Sequence, residues 1–457
     1  MAYRRELSAR SARPMEKNER NRVDAGNALE RIANLASLGL IFLPVGLGLL
    51  YVWLYGVNVA YGDQWRIAQL FGKLYSGTLG FADLWNPLNE HRILVPRVVM
   101  LLLGHFTKWN NVAEMYATQA LLLIVLVILL LAFRRDVGSG PKLLFFVPAA
   151  FLVFSFRQSE TILMGLLMQF ALVLAFAVLS FHFLHVLRER PFGKLAFPAA
   201  LINATLASLS SAHGLLVWPV GLIQLIVGPA EKRTKLYLGG VWGFLGTVEW
   251  VFYFLGYQAP DRAGEAIAGV LYYPRFYLTL MGSSLSWWSG PALAIGLLLL
   301  VLAAAALLLA TMDGKLAEHS FFAALMLFAF LVLLSITVGR AERGIEQALV
   351  SRYATYSILG VVGLYGMLAK LYLERGSRVA AVTFAALLAC VLLSLPVAYT
   401  KGIEAGYTTE VIGERKARVL ATYESQPDIA LKSLYGNPEV VKKRAPVLEQ
   451  LGFNVFS

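Results

Sequence analysis

The chain has 457 residues, 58% of them hydrophobic and only 15% charged, with a mean hydropathy of +0.64. Soluble domains carry about 25% charged residues, so this balance excludes an ordinary soluble enzyme and points to a chain embedded in a membrane. The formal charge of +12 does not mark a nucleic-acid binder, because the positives sit in short clusters between apolar runs rather than on one soluble module.

Residues 1–31 are polar and basic (Arg4, Arg5, Arg10 and Arg13 among them) and read as a flexible cytoplasmic tail. Some thirty polar residues ahead of the first apolar run are not a cleavable signal peptide. The first span is expected at 32–56. A polar stretch, 57–92, follows it, then a moderately apolar one, 93–107, containing Pro96 and Arg97. The latter is short and charged for a span, so an interfacial or re-entrant helix is expected there, within a first outer loop of 57–111.

Ten more spans are expected at about 112–133, 141–156, 163–186, 195–210, 215–229, 237–257, 291–312, 320–338, 355–373 and 379–399. The runs show no period of two, so the fold class is all-α, a polytopic transmembrane helical bundle of about eleven spans, and not a β-barrel. Basic turns at Arg134-Arg135, Arg188/Arg190/Lys194, Lys232/Arg233/Lys235, Lys315 and Arg375/Arg378 alternate with lysine-poor turns around 157–162, 210–214, 258–290 and 339–355. The positive-inside bias then puts the N-terminus in the cytoplasm and the tail 401–457 outside. That tail is expected as two short helices separated by Pro427 and Gly436-Asn437-Pro438. The lone Cys390 lies inside an apolar run and offers neither an intramolecular disulfide nor a cysteine metal site.

Three outward segments carry more polar chemistry than connection requires. The first holds Asp63 beside Gln64 and Trp65, then Asn89-Glu90-His91-Arg92. Two carboxylates, an imidazole and a guanidinium near one interface can supply a general base and an anion clamp, although an isolated acid there also serves as a helix cap. The second is Gly339-Arg340-Ala341-Glu342-Arg343-Gly344 with Ser351-Arg352-Tyr353. Arginines outside oppose the positive-inside bias, and a lipid phosphate or pyrophosphate is their natural partner; pairing with Glu342 and Glu346 is the alternative. The third comprises Arg157-Gln158-Ser159-Glu160 and Ser211-Ala212-His213-Gly214, where a lone histidine is more often structural. Glu249, midway along a span, needs a cavity or a donor on a neighbouring helix. No phosphate-binding glycine loop, His-Glu-x-x-His or Gly-x-Ser-x-Gly is present, so ATP hydrolysis by this chain is not expected.

An acid just after the first span, interfacial helices in the first outer loop and then a membrane bundle resemble the C-type glycosyltransferase superfamily. Asp63-Gln64-Trp65, Asn89-Glu90-His91-Arg92, the stretch from Arg157 to Gln169, Gly339-Arg340 with Ser351-Arg352-Tyr353, and Leu434-Tyr435 through Phe456 resemble a bacterial branch of it. The resemblance spans nearly the whole chain. It implies an enzyme of the bacterial inner membrane that moves a sugar from a polyprenyl-phosphate donor to a glycan or lipid-linked acceptor at the outer face. Asp63 would activate the acceptor hydroxyl or hold a divalent metal, Mg or Mn, with Asp83 or Glu90 as a second acid. Arg92, Arg340, Arg352 and Tyr353 would bind the donor phosphate, and Trp65, His91, Arg157, Glu160 and His213 would line the substrate cavity. Three rival readings remain: a polysaccharide polymerase or ligase acting on lipid-pyrophosphate glycans, a lipid or sugar transporter with ionisable groups at the bilayer midplane, and a non-catalytic membrane scaffold, which would leave Asp63 and the outward arginines without a task.

Overall fold

The computed structural model describes residues 17–187, 195–257 and 271–457. Among these the fold is helical with no strand; one isolated bridge pairs Leu88 with His91. Among the described residues eight stretches are long and apolar enough to cross a membrane: Arg31–Tyr55, Asn111–Val137, Gly140–Leu163, Gly165–Val186, Ser289–Met312, Ser320–Arg343, Ser351–Arg375 and Arg378–Ala421. The expected spans 195–210 and 215–229 fall on the shorter apolar helices Ala196–Ser208 and Ala212–Val227. The remaining one, 237–257, falls on Lys232–Phe254, whose charged first turn and Glu249 dilute its apolar character. Thr205 Oγ1 donates to Glu249 Oε2 at 3.3 Å, which supplies the neighbouring donor this carboxyl needs.

The helices run between two ends. At one, Lys370 Nζ lies 3.1 Å from Asp136 Oδ2 and Arg375 Nη2 lies 3.2 Å from Asp313 Oδ1. Lys370 and Asp136 are both buried, so each charge depends on the other; His185 Nε2, 3.5 Å from Asp136, joins them. This end carries the basic turns at Arg134-Arg135, Lys315 and Arg375; the turn at Arg188, Arg190 and Lys194 lies outside the described residues. At the opposite end Glu90 meets Arg340 and Glu160 meets Arg352.

Helix Leu94–Thr107 stays at that second end. Its 14 residues make about 21 Å of helix, short of a ~30 Å core. Val95 N–H donates to the Leu209 carbonyl near its start, and the Asn454 N–H donates to the Lys108 carbonyl just past its finish.

Three sequence expectations need correction. The tail 1–31 is not all irregular: helix begins at Lys17 and runs to Tyr55, while residues 1–16 lie outside the described set. The loop 258–290 is not mere connection: Tyr272–Gly282 is a helix that enters the bundle against Ser289–Met312, and 258–270 lies outside the described residues. The two backbones approach so closely that a Cβ on Gly296 would sit 1.8 Å from the Leu278 carbonyl oxygen, so glycine is required there. Thirdly, the last span does not stop near 399. Arg378–Ala421 is one helix of 44 residues, about 66 Å and twice the hydrocarbon thickness.

After that helix the chain folds back as Asp428–Leu431 and Pro438–Leu451, the two short helices expected. The latter packs on Gln64–Tyr75 within a small apolar core that includes Phe71, Trp109 and Phe453. Asn454, fully buried, locks the tail to the bundle. Its amide donates to Asn58, to the Trp109 carbonyl and to Asn111, and its Oδ1 accepts from Ala60 N–H.

Candidate functional site

A cavity of about 670 Å³ opens at the Glu90–Arg340 end of the bundle. Asp63, Glu90, His91, His213, Arg340, Arg352 and Tyr353 all line it, drawn from segments as far as 290 positions apart in sequence. Leu215, Leu216, Trp250, Phe254 and Ile336 form an apolar wall, on which Trp250 and Phe254 are themselves partly exposed at the bundle's exterior.

Asp63 owes its place to the turn Tyr61-Gly62-Asp63. Gly62 takes φ +57°, which a side chain would disfavour, and donates its N–H to the Leu434 carbonyl at 2.7 Å. Asp63 occupies the N-cap position of helix Gln64–Tyr75, yet its carboxylate makes no capping bond. It faces the cavity and accepts from Asn89 Nδ2 at 3.1 Å. The capping alternative for Asp63 therefore lapses.

Glu90 and His91 come from a tight turn. Leu88 and His91 exchange both backbone hydrogen bonds, at 2.7 and 3.0 Å, and Asn89 takes φ +53°, a region asparagine tolerates. Leu88 is buried and anchors the turn, which leaves Glu90 at its tip, 3.0 Å from Arg340 Nη2. Burial works to raise the Glu90 carboxyl, but the charge and hydrogen bond of Arg340 outweigh it and hold the group below the ordinary carboxylate range. His91 is pushed down to about 4 by burial, against the pull of Glu90, so it is a neutral imidazole at pH 7. Ser211 Oγ lies 3.4 Å from Nδ1 of both His91 and His213, and the two rings are 5.0 Å apart.

The arginines arrive on two helices. Arg340 ends helix Ser320–Arg340, Arg343 follows in a short 3-10 turn, and Arg352 sits in the first turn of Ser351–Arg375. Arg352 pairs with Glu160 at 3.3 Å and lies 5.2 Å from the Tyr353 ring centre. Glu160 is exposed and, contrary to its sequence assignment, is not among the residues that line the cavity; it reaches the site only through its pairing with Arg352. The acids that balance these arginines are thus Glu90 and Glu160; Glu342 accepts instead from the Tyr273 hydroxyl. Arg343 is exposed and makes no ion pair among the described residues.

Three more sequence assignments are corrected. Arg92 does not line the cavity: it is buried and donates to the carbonyls of Tyr253, Trp85 and Leu255, with its guanidinium 4.7 Å from the Trp85 ring. Arg157 is likewise buried, donating to the Ser286 and Leu349 carbonyls over the Trp287 ring. Both arginines satisfy carbonyls that helix ends and loops leave unpaired, which is a structural task. Trp65 is fully buried in the small core with Phe71 and Trp109. Of the two candidates for a second acid, Asp83 is committed to Lys73 and the Gly80 N–H outside the cavity, whereas Glu90 lines it.

The cavity also holds residues that were not singled out as site residues from the sequence: Asn89, Arg343 and Gln169. A bare glutamine in an apolar helix carries no local signal. Arg343 carries no such signal either, because Glu346 three positions on suggests a pairing that the fold does not make.

For a divalent metal the donor set is narrow. Among the described residues no group of three or more His, Cys, Asp or Glu converges, and Glu90 is bonded to Arg340. Of the two acids among the described residues lining the cavity, Asp63 is the one without an ion pair, and a single such carboxylate suits only an ion shared with substrate phosphate oxygens.

No family model matches the chain, and no solved structure matches it. A segment of 56 residues is 46% identical to a protein of Archaeoglobus fulgidus whose description reads only "Uncharacterized protein". That match spans 12% of this chain and 14% of the relative's length, so it is a likeness of one segment.

Proposed function

We propose that the protein is a multi-pass membrane glycosyltransferase that takes a sugar from a polyprenyl-phosphate donor and passes it to a glycan or lipid-linked acceptor at the outer face of the bacterial inner membrane. One observation carries this reading: Asp63 and the guanidinium groups of Arg340, Arg343 and Arg352 line one cavity beside an apolar wall. A carboxylate free of capping duty, facing arginines suited to phosphate, is the pair of tools that displacement at a sugar phosphate requires.

In the proposed step Asp63 accepts the proton of the acceptor hydroxyl as its oxygen forms the new bond to the anomeric carbon. The bond from that carbon to the phosphate oxygen breaks, and the electron pair leaves on the lipid phosphate. Charge growing on the phosphate is met by Arg340, Arg343 and Arg352, with the Tyr353 hydroxyl beside them. A single displacement inverts the anomeric centre. The prenyl tail would run along Trp250 and Phe254 into lipid. If a magnesium or manganese ion is used, Asp63 would hold it and the ion would neutralise phosphate charge.

The carbonyl-bonded Arg92 and Arg157 have no part in this step. A transporter is less well served, since the cavity's charges gather at one end and Glu249 is bonded by Thr205 outside it. Arg343, which has no acid partner among the described residues, gives the lipid-pyrophosphate ligase reading its one specific support, since a third guanidinium beside the two acid-paired ones suits a second phosphate. Purified protein offered radiolabelled polyprenyl monophosphate sugars and, separately, polyprenyl diphosphate glycans tests both. Transfer from the monophosphate alone supports the proposal, and transfer from the diphosphate alone replaces it with the ligase.

A further inference from the structure

Gln169 stands in the first turn of helix Met168–Val186 and lines the cavity, with only 8% of its surface exposed. Its Oε1 has no hydrogen-bond partner among the described residues. A buried amide oxygen left unbonded is unfavourable, and natural folds rarely keep one without a task. Phe170 and His213, which also line the cavity, have rings 6.4 Å apart, and the neutral His91 lies beyond His213. So the charged groups that suit a phosphate are accompanied by an uncharged polar set with an aromatic face.

The unbonded Oε1 cannot take the phosphate as its ligand. An ionised phosphate diester only accepts hydrogen bonds, and so does a glutamine carbonyl oxygen. What Oε1 needs is a donor without charge. Sugar hydroxyls are such donors, and the apolar face of a sugar ring packs on an aromatic ring such as Phe170.

We propose that Gln169 is the residue that reads the transferred sugar, its Oε1 accepting a hydrogen bond from a ring hydroxyl while the arginines hold the phosphate. This rests on the transferase reading. It assigns sugar selectivity to Gln169 and phosphate affinity to Arg340, Arg343 and Arg352, so the two can be removed separately.

The test is Gln169→Leu, which keeps the volume close and deletes the unbonded oxygen. The probes are bare polyprenyl phosphate and the same lipid bearing glucose, mannose, galactose or arabinose, measured by direct binding to detergent-purified protein. Wild type is expected to bind one sugar-bearing lipid about tenfold more tightly than the bare lipid, the worth of one buried hydrogen bond. In Gln169→Leu that preference falls to about twofold or less, the bare lipid binds as before, and the lipid-free thermal midpoint is unchanged or raised. A variant that keeps the preference, weakens both lipids alike or melts lower overturns the assignment and leaves Gln169 a packing residue. Wild type that binds bare and sugar-bearing lipids equally overturns it while leaving phosphate recognition standing. Wild type that binds neither removes the transferase reading itself, and this inference with it.

Discussion

Arg340 Nη2 and Glu90 Oε2 stand 3.0 Å apart although 250 positions separate them in the chain. The pair joins the end of a long apolar helix to the tip of a loop turn, and it closes one side of the cavity that Asp63 faces. Both side chains are partly exposed, at 19% and 27%, so solvent screens the pair and its worth to folding is about 0–1 kcal/mol. Its larger consequence is electrostatic: an incoming phosphate finds one arginine already balanced and Arg343 without an acid partner among the described residues.

Replacing Asp63 by asparagine keeps the shape and the bond from Asn89 but removes the proton acceptor. Sugar transfer is expected to fall by about 10²–10⁴-fold, with membrane insertion, thermal midpoint and donor affinity retained. Radiolabelled transfer alongside donor binding measures both. Loss of donor binding in step with activity would make Asp63 a binding group instead.

Arg343→Ala and Arg92→Ala should separate cleanly. The first removes an exposed guanidinium with no ion pair among the described residues, so donor affinity drops about tenfold while stability moves by less than about 0.5 kcal/mol. The second leaves three carbonyls without their donor in a buried setting and is expected to destabilise by about 3 kcal/mol or more. Thermal unfolding in detergent read beside donor binding distinguishes them. Equal behaviour of the two variants would contradict the assignment of Arg92 to structure.

Two acid-side slopes follow from the turn at 88–91. Glu90 is held below its ordinary value of 4.5, so its contribution to stability is present above that pH and is lost as pH falls through the lower folded value. The difference between wild type and Glu90→Gln should shrink on acidification below about 4.5. His91 is depressed from 6.5 to about 4, so the unfolded chain takes up its proton first. Stability should fall as pH drops through that window, by at most about 1.4 kcal/mol per pH unit, and His91→Asn should flatten the slope. A titration of thermal midpoint against pH for the three proteins decides it.

Asn454→Ala removes four hydrogen bonds around a fully buried side chain near the C-terminus. The expected loss is about 2–4 kcal/mol, with faster hydrogen exchange across Pro438–Leu451 and Gln64–Tyr75. Because Gly62 donates to the Leu434 carbonyl, undocking the tail also releases the turn that presents Asp63, so activity should fall with stability. Unchanged exchange in Gln64–Tyr75 would show that the tail does not support that turn.

The apolar stretches were legible because a ~30 Å hydrocarbon layer demands about twenty apolar residues, whatever the packing. Asp63, Arg340 and Arg352 were legible because charge is costly beside lipid and so stands out there. The roles of Arg92 and Arg157 were not, since their acceptors are backbone carbonyls, which leave no mark on residue identity. Helix Tyr272–Gly282 escaped notice because eleven residues containing Arg275 and Thr279 resemble a loop, and only the close approach at Gly296 reveals its place. Gln169 is a neutral residue whose importance lies in an unmade bond, a property of the folded site alone. The pairing of Glu90 with Arg340 depends on how distant segments pack, which no local pattern records.

The most direct test is an experimental structure of the protein with a polyprenyl-phosphate sugar. The expected result is phosphate density within hydrogen-bond reach of Arg340, Arg343 or Arg352, with the sugar between that phosphate and Asp63. Phosphate density at the opposite end, beside Lys315 and Arg375, or a sugar out of reach of the Asp63 carboxylate, would contradict the account.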